Sequence, residues 1–310
     1  MAQFEINILG CGSATPSLRH LPACQVIDFR DNLMMVDCGE GAQLQMRRMK
    51  LKYSRLNHIF ISHLHGDHCL GLPGLLSTLS LHQRTGTVTV HMFQEGIDLF
   101  KPMIDFLCRE RSYDLVFEPV DHKGGIVFEN NSLTVEAFPL FHRVPTVGYI
   151  FREKPKSRHL KGDMIKFYDV PVSLIPKLKA GNDITLPDGR LVKAAHVTTE
   201  ADPSLSYAYC SDTVFNRRVA ESVKGVDVIY HEATYLSDES VKAHERFHST
   251  AAEAAEIARE AGAKLLILGH YSKMYLTDEG HLAEAHPIFG NTIAADEGMK
   301  IDITKVYERN

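Results

Sequence analysis

The spacing of apolar residues along this chain changes period repeatedly, and each change predicts an element. FEINILG (4–10) reads as a strand that runs into the Gly/Ser/Pro loop CGSATPS, and ACQVIDFRDNLMMVDCGEG reads as two strands joined around Asp31 and Asn32. EGAQLQMRRMK has helical spacing, NHIFIS is a short buried strand, and LGLPGLLSTLSLH is an apolar helix. Further strands are predicted at TVTVHM, SLTVEAFPL, VGYIF, LSYAYCS, VDVIYHEA and KLLILGH, with helices at GIDLFKPMIDFLCRE and STAAEAAEIAREAG. Strands that first form meanders and later alternate with helices predict an α/β sheet sandwich covered by helices.

One stretch breaks this pattern. From Arg152 to Lys193 the chain is rich in Lys, Arg, Pro and Gly, and it ends in ITLPDGRLV, where Asp188 and Gly189 between apolar positions signal a hairpin. The expectation is a catalytic domain made of 1–150 and 195–310, interrupted by an inserted arm at 151–194. Residues 152–193 hold ten Lys and Arg against five Asp and Glu, a local charge of +5, in a chain whose net charge is −5. Whole-molecule electrostatics therefore do not draw the protein to nucleic acid, so any polyanion site must be a local basic patch. A second basic run, MRRMKLKYSR at 46–55, has five Lys and Arg and no acid.

Composition narrows the class. With 310 residues, 44% of them hydrophobic, the chain can bury a large core. The opening MAQFEINILG has no basic run before an apolar segment, and no apolar stretch reaches the ~20 residues of a membrane span. A soluble cytoplasmic protein is expected. Six cysteines are scattered without a CxxC pair, which predicts reduced, buried thiols rather than disulfides or a zinc ribbon.

The candidate chemistry begins at SHLHGDHCLGLPG, where His63, His65, Asp67 and His68 follow a predicted strand on a Gly66 turn. Imidazole and carboxylate in this number suit a divalent metal such as zinc, at ~2.0–2.2 Å per ligand. His142, Asp212 and His270 also follow apolar runs. Three or four such groups saturate one ion, so seven imply two ions with a bridging carboxylate.

HxHxDH with the downstream His, Asp and His resembles the metallo-β-lactamase fold. SHLHGDHCLGLPGLL, SDT (211–213), HEATY (231–235), HST (248–250) and GHYSKMY (269–275) narrow the resemblance to the ribonuclease Z (tRNase Z) family, over nearly the whole chain. It implies a four-layer αββα sandwich with an inserted flexible arm, and a zinc-dependent endoribonuclease that removes the 3′ trailer of precursor tRNA, leaving a 3′-hydroxyl. His63, His65 and His142 would hold one zinc, Asp67, His68 and His270 the other, and Asp212 would bridge them. The resemblance gives Asp67, Glu232 and His248 the catalytic roles: Asp67 would accept a proton, and His248 and Glu232 would stand near the scissile bond, His248 suited by its ordinary imidazole pKa to donate to the departing 3′-oxygen and Glu232 to orient it. The resemblance also implies that the arm grips tRNA, with Lys177 and Lys179 as candidate contacts beside Lys273, and that the protein is a homodimer.

The chain departs from the family pattern at two places. The arm reads DVPVSLIPKLKAG without the usual Gly-Pro, and Met274 stands at the usual arginine of S-x-R-Y, with Lys273 the nearest charge. The competing expectation is a small-molecule phosphodiesterase or another metallo-hydrolase of the same fold.

Overall fold

The computed structural model describes residues 4–307. The chain divides into two compact units, one comprising residues up to 129, 134–151 and from 205 onward, the other 130–133 and 152–204.

In the first unit, β1 (Phe4–Gly10), β2 (Cys24–Phe29) and β3 (Asn32–Val36) form an antiparallel meander. The β2–β3 turn is made by Arg30 and Asp31, both at positive φ (49° and 66°), one residue earlier than the sequence indicates. Two successive positive φ values suit the right-handed twist of a hairpin, so turn geometry here overrides the usual preference for glycine.

After α1 (Ala42–Arg48) the sheet continues in parallel through β4 (Leu56–Phe60), β5 (Thr87–Met92) and β6 (Asp114–Pro119). Between them lie α2 (Gly66–Cys69), α3 (Leu72–Leu81) and α4 (Gln94–Leu107). A second sheet starts with β7 (Gly125–Glu129), β8 (Leu133–Leu140) and β9 (Thr146–Glu153).

The second unit is not a bare loop. It contains β10 (His159–Leu160), α5 (Gly162–Phe167), α6 (Ile175–Lys179), β11 (Ile184–Thr185), β12 (Leu191–Val192), α7 (Ala194–Val197) and β13 (Thr198–Thr199). β11 pairs with β12 around Asp188 and Gly189, and β10 pairs with β13, which carries the unit past residue 194 to Ser204. Val170, Leu178, Ile184, Val192 and Val197 form its own apolar cluster, because apolar residues dispersed among the lysines converge once the short helices fold. Lys177 and Lys179 stand exposed on α6.

The chain then completes the second sheet with β14 (Ser206–Cys210), α8 (Arg217–Ser222), β15 (Val228–Glu232), α9 (Ser240–Glu245), α10 (Ala251–Ala261), β16 (Leu265–Gly269), α11 (Glu279–Ala285) and β17 (Thr292–Ala294). Finally β18 (Lys300–Asp302) returns to pair with β1. The strand orders are β18-β1-β2-β3-β4-β5-β6 and β17-β16-β15-β14-β9-β8-β7.

Met46, Leu75, Leu79, Phe100 and Ile104 of α1, α3 and α4 pack on Val26, Met35, Ile59 and Val90 of the first sheet. On the other side α10 covers β15 and β16. Phe60, Tyr149, Phe151, Tyr207 and Tyr209 fill the space between the sheets, fully buried, and each such side chain contributes about 1.5–3 kcal/mol on burial. Their hydroxyls find acceptors, as Tyr149 donates to Ile61 O at 2.8 Å. The layers are αββα, as the sequence predicts. Among the described residues all six cysteines are free and buried, and no helix is long and apolar enough to cross a membrane.

Candidate metal centre

The parallel strands of both sheets end on the same side, and the histidines and aspartates of interest sit just past those ends. His63, His65, Asp67 and His68 follow β4, His142 follows β8, Asp212 follows β14, and His270 follows β16. Strand C-termini in open α/β sheets are where ligand sites form, because loops there are free to aim side chains inward. Close backbone packing seats the HxHxDH loop: a Cβ on Gly71 would lie 2.1 Å from Gly39 O, so only glycine lets α3 start against the 37–39 turn. His270 itself has φ 61°, the left-handed region that a side chain rarely adopts, and such strain persists where surrounding structure imposes it.

His65, Asp67, His142, Asp212 and His270 line one cavity of about 680 Å³, and His63 and His68, fully buried, group with them beneath it. Asp212 Oδ2 lies 3.6 Å from His63 Nε2 and 3.8 Å from His142 Nε2, while Oδ1 lies 3.3 and 3.2 Å from Nε2 of His68 and His270. Asp67 Oδ2 is 3.5 Å from both His68 and His270 Nε2. His65 Nδ1 stands 3.1 Å from His63 Nε2 and 3.3 Å from His142 Nε2.

The surrounding hydrogen bonds decide which ring nitrogens carry protons. His142 Nδ1 donates to Phe247 O at 2.8 Å, and His68 Nδ1 donates to Asp37 Oδ2 at 2.7 Å. Ser62 Oγ donates to Asp37, so it accepts from His63 Nδ1 at 3.0 Å. Thr234 Oγ1 donates to Glu232 Oε2, so it accepts from His270 Nδ1 at 2.9 Å. In the neutral rings each Nε2 therefore presents a lone pair inward. Ring nitrogens crowded against one another at 3.1–3.3 Å, beside an Asp212 Oδ1 that is buried without a hydrogen-bond partner, are costly unless a cation, proton or metal, sits among them. The residues present fit a divalent metal. Burial works against it, yet the charges of Asp212, Asp37 and Asp67 hold the His68 imidazole well above its ordinary range, so that without a metal this ring keeps a proton whose place a bound cation would take.

Glu232, at the end of β15, is fully buried behind the cavity. Its Oε1 accepts from the backbone N–H of Thr213 and Ser249, both at 3.1 Å, and from His248 Nδ1 at 2.9 Å. His248 lines the cavity, half-covered, at the entrance to α10. The HST segment places it there: Thr250 caps α10, accepting from Glu253 N, while Glu253 accepts from Thr250 N. Burial lowers the His248 value, but the charge and hydrogen bond of Glu232 outweigh it and raise the imidazole to about 9.

Sequence reasoning did not single out three of these neighbours. Asp37, past β3, receives His68, Ser62 and Tyr209 (Tyr209 Oη at 2.8 Å), and its place after the apolar run NLMMV is the signal that found Asp212. Thr234, inside HEATY, links Glu232 to His270. Ala14 N donates to Asp67 Oδ2 at 2.6 Å, a backbone contact that no side-chain motif announces. Lys273 is exposed and lies outside this cavity, on an adjoining one with Arg19, Leu18 and Tyr275.

Residues 4–100 match the family model described as anti-Pycsar protein Apyc1, and residues 188–271 match the β-lactamase superfamily domain. The ribonuclease Z of Porphyromonas gingivalis (strain ATCC BAA-308 / W83) is 50% identical over 305 residues, covering 98% of this chain and all of that one. This chain belongs to the ribonuclease Z family. The ribonuclease Z of Phocaeicola vulgatus is 48% identical over 307 residues, covering 99% of each chain. The solved structure of human tRNase Z, short form, superposes with a TM-score of 0.69 at 24% identity, covering 96% of this chain and 99% of that one, and so shares the metallo-β-lactamase fold with this member of the ribonuclease Z family.

Proposed function

We propose that this protein is a zinc-dependent endoribonuclease that removes the 3′ trailer of precursor tRNA by hydrolysing one phosphodiester, leaving a 3′-hydroxyl. The observation that carries the proposal is Asp212, whose two oxygens face two different histidine sets, in a chain half identical to ribonuclease Z relatives along its full length. His63, His65 and His142 would hold one zinc, Asp67, His68 and His270 the second, and Asp212 would join them. Bound there, two divalent ions supply Lewis acidity toward the scissile phosphate and lower the pKa of water toward neutrality.

The chain's own residues do the rest. Asp37, Ser62, Thr234 and Phe247 O keep the ligand rings in the tautomer that presents Nε2. Asp67 accepts a proton from the attacking water. Glu232 fixes His248 through Nδ1, leaving Nε2 to donate a proton to the departing 3′-oxygen. Glu232 acts only through His248, since it is buried. Lys177 and Lys179 of the inserted unit, and Lys273, contact tRNA phosphates without reading bases. The protein works as a cytoplasmic homodimer, the state the family resemblance implies.

The test is cleavage of a 3′-extended precursor tRNA by the zinc-loaded protein, with product ends mapped. A cut after the discriminator base that is lost in Asp67→Ala is expected. His248→Ala should keep both metals and slow cleavage by ~10²–10⁴-fold. An intact precursor beside a hydrolysed small phosphodiester would sink the tRNA assignment.

A further inference from the structure

Behind the metal cavity lies a second buried polar cluster, on the loop between β1 and β2, that the proposed chemistry does not use. His20 is 5% exposed. Its Nδ1 lies 2.8 Å from Glu297 Oε2, and its Nε2 is 3.7 Å from Asp278 Oδ1. Arg19 Nη2 pairs with the other Asp278 oxygen at 2.7 Å. Glu297 Oε1 accepts from Leu21 N at 2.8 Å and Cys11 N at 3.3 Å. The cluster therefore ties the start and end of the loop to two segments far along the chain.

The same loop reaches the site. Tyr271 N, next to His270, donates to Cys11 O at 2.9 Å, and Ser13 N donates back to Tyr271 O at 3.0 Å. Ala14, at φ 56°, then points its N–H at Asp67 Oδ2, 2.6 Å away. A loop holding a residue in that strained region needs fixing at both ends.

We propose that His20 is a positioning residue: as an imidazolium held between Glu297 and Asp278, it anchors the loop whose Ala14 N–H orients Asp67. The groups facing His20 are Glu297, Asp278, Asp296 at 3.9 Å, Arg19, the Cys11 thiol at 3.3 Å and the His281 ring. Burial lowers the His20 value, but the Asp278 and Glu297 carboxylates that face its two ring nitrogens, Glu297 accepting from Nδ1, raise it to about 9. Burial holds His281 at about 4, neutral, so it adds no competing charge. A metal held by Cys11, His20 and Glu297 is the rival for this cluster. Burial pushes the Cys11 thiol up, away from the thiolate a metal needs, and both Glu297 oxygens already have donors.

The catalytic half of this inference rests on the hydrolase reading above, and the ring's protonation does not. Imidazole ¹⁵N–¹H spectra of the zinc-loaded protein should show a doubly protonated ring at pH 8 that vanishes in His20→Gln. On bis-p-nitrophenyl phosphate, His20→Gln should lose ~10–100-fold in kcat at unchanged KM. Glu297→Gln should behave alike if His20→Gln does not fold. A neutral His20 at pH 8 in the parent protein overturns the proposal, as does parental kcat in His20→Gln. A third bound metal with a thiolate-to-cobalt absorption band after cobalt loading also overturns it, because the proposed zinc ligands include no sulfur.

Discussion

Asp212 turns each carboxylate oxygen toward a different pair of histidines, so its removal should affect both halves of the centre, whereas His142 serves one. His142→Ala and Asp212→Ala should each lower bound zinc by elemental analysis, with the larger deficit in Asp212→Ala; full occupancy in both would remove them from the centre. At His20 the sign of a pH effect follows from the shift. The folded value, about 9, lies above the ordinary 6.5, so the cluster's stabilisation is complete below pH 6.5 and lost as pH rises through 9. The melting temperature should fall across that window, and His20→Gln should flatten the fall; parallel curves would show that the ring contributes nothing.

Single elements carry separable tasks. Within the inserted unit Leu160 pairs with Thr198, so residues 162–196 can be replaced by a short Gly-Ser linker between chain ends that are already adjacent. This deletion should weaken precursor-tRNA binding and flatten its salt dependence, since each lost phosphate contact removes released counterions, while bis-p-nitrophenyl phosphate turnover stays at the parental level. Equal loss of both activities would place the unit in the catalytic machinery. The unit's charge was visible in the sequence, but its helices were not. DMIKFYDVPVSLIPKLKAG intersperses apolar residues with lysine, proline and glycine at no sustained period, and only closure around Leu178 and Val192 shows them to be a core.

For the molecule as a whole, the inward-facing lone pairs and carboxylates make the metal-free fold less stable than the loaded one. Chelation followed by calorimetry should therefore lower the unfolding temperature, and restored zinc at ~100 times its Kd should return about 2.7 kcal/mol per site. No change on chelation would contradict a centre built into the fold. The sequence alone determined the sandwich class, the seven His and Asp candidates at strand ends and HST as the entry to a helix, because strand periodicity, strand-end placement and capping are local and survive in one dimension. Tertiary structure alone decided which nitrogen His63, His68, His142 and His270 present, that Glu232 is buried with its Oε1 on His248 Nδ1, and that Asp37, Thr234 and Ala14 hydrogen-bond to the same cluster. Those contacts join residues such as Asp37 and His68, or His20 and Glu297, that are separated along the chain, and only the pairing of β3 with β4 and of β18 with β1 brings their polar atoms within hydrogen-bonding reach.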